Sequence, residues 1–118
     1  MELRLVSDDG NVLHIEMVGA KAQPELPAAF APLEALLGSE GYRRRTMLNM
    51  DETRFIDSSG LSWLVDCHKR FIQGGGKLVL HSVRSPIMDL FTMMRLEMVL
   101  NLAEDESAAR KLLTGEGS

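Results

Sequence analysis

An apolar strand, an amphipathic helix and a second apolar strand follow one another between residues 47 and 80, and this succession limits the possible folds more than any other feature. The first run, Met47-Leu48-Asn49-Met50, is nearly continuously apolar, which is typical of a strand covered on both faces. The helix has an apolar face with helical spacing, formed by Leu61, Leu64, Val65, His68, Phe71 and Ile72. Gly74-Gly75-Gly76 ends the helix, because glycine adopts positive φ freely, and Leu78-Val79-Leu80 follows as a strand. Two strands joined in this way predict parallel pairing with a right-handed crossover.

Weaker patterns on either side predict the remaining elements. Apolar and polar residues alternate on both sides of Asp8-Asp9-Gly10-Asn11, which predicts a β-hairpin near the start of the chain. Prolines then predict a loop that enters a helix at about Pro27 or Pro32. The predicted later elements are a helix with Ser85 as its N-cap and Pro86 at its first position, a strand at Val99–Leu102 and a helix from about Asp105 to Leu113.

Charge and composition exclude several classes of partner. The net charge of -4 and the pI of about 5.3 produce a field that repels nucleic-acid phosphates and anionic lipids. No apolar run approaches the length of about 18 residues that a membrane span requires. The single cysteine, Cys67, cannot form an internal disulfide, and the first residues lack a signal-peptide pattern. We therefore expect a cytoplasmic protein with no direct nucleic-acid binding and no membrane insertion.

The turn Asp57-Ser58-Ser59-Gly60 joins the first apolar strand to the helix and is the most informative polar segment. Any of its three polar residues can cap the helix N-terminus, and capping alone would explain the pattern. The alternative is that a kinase phosphorylates a surface serine here. A phosphate carries a charge of roughly -1.5 to -2, which the positive end of the helix dipole tolerates but an acidic partner does not. Phosphorylation would then change binding without changing the fold.

Three motifs in this order and spacing resemble the STAS domain, specifically the bacterial anti-sigma factor antagonists. The resemblance extends over about residues 2–113. The motifs are Met47-Leu48-Asn49-Met50, Phe55-Ile56-Asp57-Ser58-Ser59-Gly60-Leu61 and Gly74-Gly75-Gly76-Lys77-Leu78-Val79-Leu80. The resemblance implies a single-domain STAS-like α/β fold over residues 1–118, with a mixed sheet of four to five strands and about four helices mainly on one face.

The resemblance also implies a mechanism of partner switching. In this family an anti-sigma factor that is a serine kinase phosphorylates the serine after the aspartate, which is Ser58 here. A metal-dependent phosphatase removes the phosphate. The unmodified antagonist binds the anti-sigma factor and frees the sigma factor, whereas the phosphorylated antagonist releases its partner. The protein would therefore be a non-catalytic, phosphorylatable binding module.

The residues around Ser58 are the predicted partner-binding residues. Asp57 shapes the helix start, Ser59 and Gly60 let the backbone turn, and Ser62 lies on the polar face of the helix. Trp63 falls outside the apolar face on a helical wheel, which predicts an exposed side chain suited to partner contact. The alternative for Trp63 is a ring that lies flat over a neighbouring loop.

The sequence departs from the family pattern in two places, and the first of them favours an alternative function. Where the family often has acidic residues after the second strand, this chain has Ala20-Lys21-Ala22-Gln23. The third helix ends at Met93-Met94-Arg95-Leu96 without the glycine that is common there, which predicts an altered loop beside Ser58. The alternative is a STAS scaffold or ligand-sensing subunit of a stress-signalling or lipid-transport complex, without serine switching.

The remaining residues do not form a recognisable catalytic or metal site. A hydrolase would use Ser58 with His68 or His81 as base, but the chain has no G-x-S-x-G turn. His68 belongs to the apolar helix face, which indicates a core histidine, and Cys67 beside it indicates inert packing. His14, His68 and His81 lack metal-ligand spacing. We expect no enzyme activity, no cofactor and no metal.

Overall fold

The computed structural model of the protein describes residues 2–18 and 30–115. Within these residues, five strands form one sheet, in which they are arranged in chain order. The strands are β1 (Glu2–Asp8), β2 (Val12–Val18), β3 (Arg45–Asn49), β4 (Lys77–His81) and β5 (Asn101–Ala103). The helices are α1 (Ala31–Leu37), α2 (Ser58–Gly74), α3 (Ser85–Met93) and α4 (Glu106–Thr114), with 3₁₀ turns at Gly38–Arg43 and Leu96–Met98. β1 pairs antiparallel with β2, whereas the pairs β2–β3, β3–β4 and β4–β5 are parallel. The predicted α/β fold with a mixed sheet is confirmed.

Two predicted boundaries are shifted for local reasons. The last strand begins at Asn101 instead of Val99, because the amides of Val99 and Leu100 both donate to the carbonyl of Leu96 in the preceding turn. Ser85 is the first residue of α3, and Arg84 occupies the cap position before it. Of the two predicted starts of the first helix, Pro32 lies in the first turn of α1. The other, Pro27, is outside the described residues.

The sheet separates two apolar cores. On one face, Leu13, Ile15, Leu48 and Leu80 belong to the larger core, to which α1, α2 and α3 contribute their apolar sides. The alternate residues of the same strands point to the other face, where a smaller core lies beneath α4. This smaller core consists of Val12, Met47, Val79, Ala109 and Leu113. Among the described helices, three therefore cover one face and α4 covers the other, as predicted.

The end of α2 requires glycine for two different reasons. Gly75 has φ +86 and is the left-handed residue that ends the helix, as the Gly74-Gly75-Gly76 run predicts. Gly76 instead packs directly against backbone: a Cβ there would overlap the carbonyl oxygens of Tyr42 and Arg44. This close approach lets the chain pass from α2 into β4 beside the segment that leads into β3.

Candidate functional site

The loop between β3 and α2 is fixed to neighbouring elements by hydrogen bonds. The Thr53 hydroxyl donates to the carbonyl of Met17 in β2 (2.9 Å), and Thr53 is 1% exposed. Arg84 Nε donates to the carbonyl of Asp51 (2.6 Å), and the Asp51 amide donates to Asn49 Oδ1 (2.8 Å). These contacts determine where the chain enters α2.

Asp57 is the residue that caps α2. Its Oδ1 accepts a hydrogen bond from the Gly60 amide (2.9 Å), and its carbonyl accepts one from the Leu61 amide (3.0 Å). Ser58 and Ser59 are the first two residues of the helix, and both are exposed. Across the described ranges of the chain, neither serine hydroxyl forms a hydrogen bond. The side chain of Asp57 satisfies a helix amide, and the hydroxyl of Ser58 stands free in solvent.

Gly60 is buried and has a steric role in this turn. A Cβ at Gly60 would lie 2.5 Å from Cγ1 of Ile56, which is itself 7% exposed. Glycine therefore allows the first turn of α2 to pack onto the residue that precedes its cap. This packing places Ser58 and Ser59 at the surface.

A shallow apolar groove of about 350 Å³ begins at Ser58. It runs between the outer side of α2 and the segment that follows α3. The residues that line it are Ser58, Leu61, Ser62, Val65, Asp66, Met94 and Leu96. Ser58, Ser62 and Asp66 provide the polar groups of a depression that is otherwise apolar, a combination suited to protein recognition.

A second groove of about 280 Å³ lies on the other side of the end of α3. Its lining includes Phe55, which precedes the cap of α2, and Met93, the last residue of α3. Phe55 is 54% exposed, Met93 80% and Met94 53%. Exposed apolar side chains of this size beside a polar turn are typical of an interaction surface. We refer to Ser58, Phe55, Met93 and Met94 together as the Ser58 surface.

The sequence model of the STAS domain family matches residues 10–109. The chain belongs to the STAS family. Its structure is similar to an anti-sigma-factor antagonist (STAS) domain protein from Planctomyces limnophilus, with a TM-score of 0.73, 16% identity and coverage of 100% of both chains. It is also similar to the anti-sigma factor antagonist SpoIIAA in its unphosphorylated form, with a TM-score of 0.68, 17% identity and coverage of 98% of this chain and 99% of that one. At these identities the similarity shows a shared fold.

Trp63 of this STAS domain is buried, so the prediction that it is exposed is wrong. It is 4% exposed, and its ring stacks on Phe30 with centroids 6.0 Å apart and an interplanar angle of 14°. The helical wheel identified only the side of α2 that faces the sheet. Phe30, which directly precedes α1, covers part of the outer side as well. The alternative, a ring lying flat on a neighbouring segment, is closer to the observed packing.

The positions of the histidines exclude a pair between Ser58 and either His68 or His81 in this STAS domain. His68 lies ten residues after Ser58 on the same helix, about 15 Å along its axis at the usual rise per residue. His81 follows Val79 by two residues on β4 and therefore lies on the opposite face of the sheet from α2. The predicted core location of His68 is confirmed, and burial lowers its pKa. Cys67 is fully buried, which raises the pKa of its thiol and makes it unreactive.

Metal-ligand clusters and membrane-spanning helices are both absent from the described ranges. Over residues 2–18 and 30–115, no three or more histidine, cysteine, aspartate or glutamate side chains come together as metal ligands. Nor does this part of the chain contain a helix that is long and apolar enough to cross a membrane.

The two departures from the family pattern have different outcomes. The segment Ala20–Gln23 lies outside the described residues. Arg95, in the loop without the common glycine, has φ +58, a left-handed conformation that glycine adopts more easily. The chain therefore forms a left-handed turn here with arginine, and this turn leads into the 3₁₀ segment that contains Leu96 and Met98. The sequence patterns did not assign Phe55 and Met94 to this surface, and the adjacent methionines Met93 and Met94 are the signal that could have indicated it.

Loss of the Asp57 cap should destabilise the protein modestly. We expect Asp57→Ala to lower the free energy of unfolding by about 1 kcal/mol, because the Gly60 amide loses its partner, and Asp57→Asn to recover most of the loss. Urea denaturation measures both. Asp105→Ala is the matched control, since Asp105 caps α4 with the same geometry, accepting from the Ala108 amide at 2.9 Å. An Asp57→Ala protein as stable as the wild type would contradict the capping role.

Proposed function

We propose that this STAS domain is a non-catalytic anti-sigma factor antagonist whose binding is switched by phosphorylation of Ser58. Unmodified, it binds an anti-sigma factor that is a serine kinase, and this binding frees a sigma factor. Phosphorylated at Ser58, it releases the anti-sigma factor, and a serine phosphatase restores the unmodified form. The observation that carries the proposal is the free, exposed Ser58 hydroxyl at the edge of an apolar groove.

The position of Ser58 suits a phosphoacceptor that must not disturb the fold. Ser58 is the first residue of α2, where the helix dipole stabilises negative charge. The Asp57 side chain already satisfies the Gly60 amide, so the helix start does not depend on the serine hydroxyl. A phosphate on Ser58 would therefore remain in solvent and be tolerated by the domain that carries it.

The same position makes a phosphate unfavourable for a bound partner. A partner that fills the groove beside Ser58 contacts mainly Leu61, Val65, Met94 and Leu96, which favours an apolar contact surface. A doubly charged phosphate at the edge of that contact would lose much of its hydration and lie next to apolar groups. Ser59 and Ser62 contribute polar contacts around it, while Asp57 and Gly60 set the backbone.

The protein acts as a single binding domain and leaves the chemistry to its partners. The kinase partner supplies nucleotide and metal, so this chain needs neither. Residues 1–118 act as one domain in the cytoplasm, where sigma factors and their regulators meet. Trp63 supports the packing of α2 against Phe30 and makes no direct partner contact.

Release of a sigma factor tests the proposal directly. A complex of sigma factor and candidate anti-sigma kinase, such as one encoded beside this protein's gene, is mixed with the unmodified chain, and free sigma factor is measured by gel filtration. We expect release without ATP and loss of release after incubation with ATP. Ser58→Ala should release sigma factor in both conditions. Release that persists with ATP for the wild type would favour the scaffold alternative.

A further inference from the structure

Two histidines that the proposed function does not use form a hydrogen-bonded pair in the smaller core. His14 on β2 and His81 at the end of β4 are each 2% exposed, and their Nε2 atoms are 3.0 Å apart. The two rings meet across β3, which lies between their strands. One ring must donate its N–H to the other, because two unprotonated nitrogens cannot form this contact.

The outward nitrogen of each ring faces a different group near the start of α4. His14 Nδ1 lies 3.9 Å from a carboxylate oxygen of Glu106, the first residue of α4. His81 Nδ1 lies 2.8 Å from the hydroxyl of Ser82, whose amide donates to the carbonyl of Glu104 (3.2 Å). The imidazole pair therefore connects the central strands with the beginning of the helix that covers them.

The pair can accept one proton but not two. In the neutral pair one Nε2–H donates to the other Nε2, and a first proton can enter on the free Nδ1 of the donor ring without disturbing that bond. A second proton must enter on the accepting Nε2. Two N–H groups would then point at each other over 3.0 Å, on two positively charged rings. The rings must separate, and His14 or His81 must move out of the core.

The charges around the pair act in both directions. Glu106 and Asp105 of α4, together with Glu16 of β2, favour protonation, whereas Arg110 of α4 opposes it. Arg110 is held in place by Asp9 of the hairpin turn (3.2 Å) and by Glu106 (3.8 Å). Burial is the largest influence on both rings and lowers the pKa of each below its usual value of 6.5.

The sign of the resulting pH dependence follows from these lowered pKa values. As the pH falls below 6.5, the histidines of the unfolded or opened chain bind protons before those of the closed structure. The closed structure therefore loses stability as the pH falls below this value, and the histidine contribution is complete above it. A buried histidine pair is an established type of pH-sensitive contact in proteins.

We propose that the His14–His81 pair is a pH-sensitive switch that holds α4 on the sheet when neutral and releases α4 when both rings are charged. Release separates Ala109 and Leu113 from Val12, Met47 and Val79 and exposes that face of the sheet. The helix α2, which begins at Ser58, lies on the other face of the sheet from α4.

Native-state amide hydrogen exchange by NMR tests the switch in the intact protein. Between about pH 7.5 and about pH 5.5, corrected for intrinsic exchange rates, the opening constants of α4 amides should rise about tenfold relative to those of β3. His81→Gln, which cannot titrate, should abolish this relative change. His68→Gln removes the remaining histidine, in α2, and should leave the change intact.

Several results would overturn the proposal. They are α4 protection that does not depend on pH, protection that falls equally in α4 and β3, and a pH response that persists in His81→Gln. Should His81→Gln fail to fold, ¹⁵N chemical shifts of the wild-type imidazoles decide the question. His14 and His81 should both titrate at a lower pH than the histidine of a reference peptide, and titration of either ring like a free histidine contradicts the switch.

Discussion

Ser58→Asp should weaken binding to the anti-sigma factor by at least about tenfold, equivalent to about 1.4 kcal/mol, while leaving the melting temperature nearly unchanged. The carboxylate would stand at the edge of the apolar groove, where a docked partner strips part of its hydration. Within the domain, the start of α2 favours the added negative charge. Isothermal titration calorimetry and circular dichroism measure the two effects separately.

Ser107→Asp is the matched control for this experiment. Ser107 is exposed and lies in the first turn of α4, on the opposite face of the sheet from α2. It therefore receives the same charge in the same helical setting, away from the Ser58 surface. Equal weakening by Ser58→Asp and Ser107→Asp would mean that overall charge controls binding. A melting temperature that falls sharply in Ser58→Asp alone would contradict the tolerance of charge at the α2 cap.

Gly76→Ala should lower the free energy of unfolding by about 3 kcal/mol or more, the largest stability effect we expect. The new methyl group would overlap the carbonyl oxygens of Tyr42 and Arg44, and backbone cannot move away as a flexible side chain can. The start of β4 would then have to move away from β3, where Lys77 of β4 pairs with Arg45 of β3. Urea denaturation monitored by circular dichroism gives the change directly.

Gly75→Ala separates this steric effect from conformational strain. Gly75 has φ +86 but no atom within 4 Å of a Cβ built on it. Alanine there should therefore destabilise the protein by only about 1 to 2 kcal/mol, the usual penalty for a left-handed residue with a side chain. If both variants lost the same stability, the close approach at Gly76 would not be the dominant constraint.

The elements with strong local patterns could be predicted from the sequence. The periodic apolar face of α2, the glycines after it and the apolar β3 and β4 segments specify a strand-helix-strand unit by themselves. Asp57 was one of three candidate caps, and only the hydrogen bond from the Gly60 amide distinguishes it from Ser58 and Ser59.

The features that depend on distant contacts could not be predicted in this way. Trp63 is buried because Phe30, more than thirty residues earlier in the chain, covers the outer side of α2. The groove beside Ser58 joins α2 to Met94 and Leu96, which follow a different helix. The His14–His81 contact pairs residues 67 positions apart through the order of the strands. A helical wheel or an alternation pattern describes one element and contains no information about which element packs on it.

The Ser58 turn combines a rigid base with an accessible hydroxyl. Thr53 and Arg84 fix the preceding loop through backbone carbonyls, and Gly60 packs on Ile56 below the surface. Covalent change at Ser58 would consequently alter the charge of the Ser58 surface and leave its shape intact. This separation of surface charge from fold is what a reversible binding switch requires.

Site mapping of the phosphorylated protein tests the central claim most directly. The wild type, Ser58→Ala and Ser59→Ala are incubated with the anti-sigma kinase and ATP, and intact mass is followed by peptide sequencing in the mass spectrometer. We predict one phosphoryl group, located on Ser58, in the wild type and in Ser59→Ala, and none in Ser58→Ala. Phosphate on Ser59 or elsewhere, or its retention in Ser58→Ala, would contradict the assignment of Ser58 as the switch.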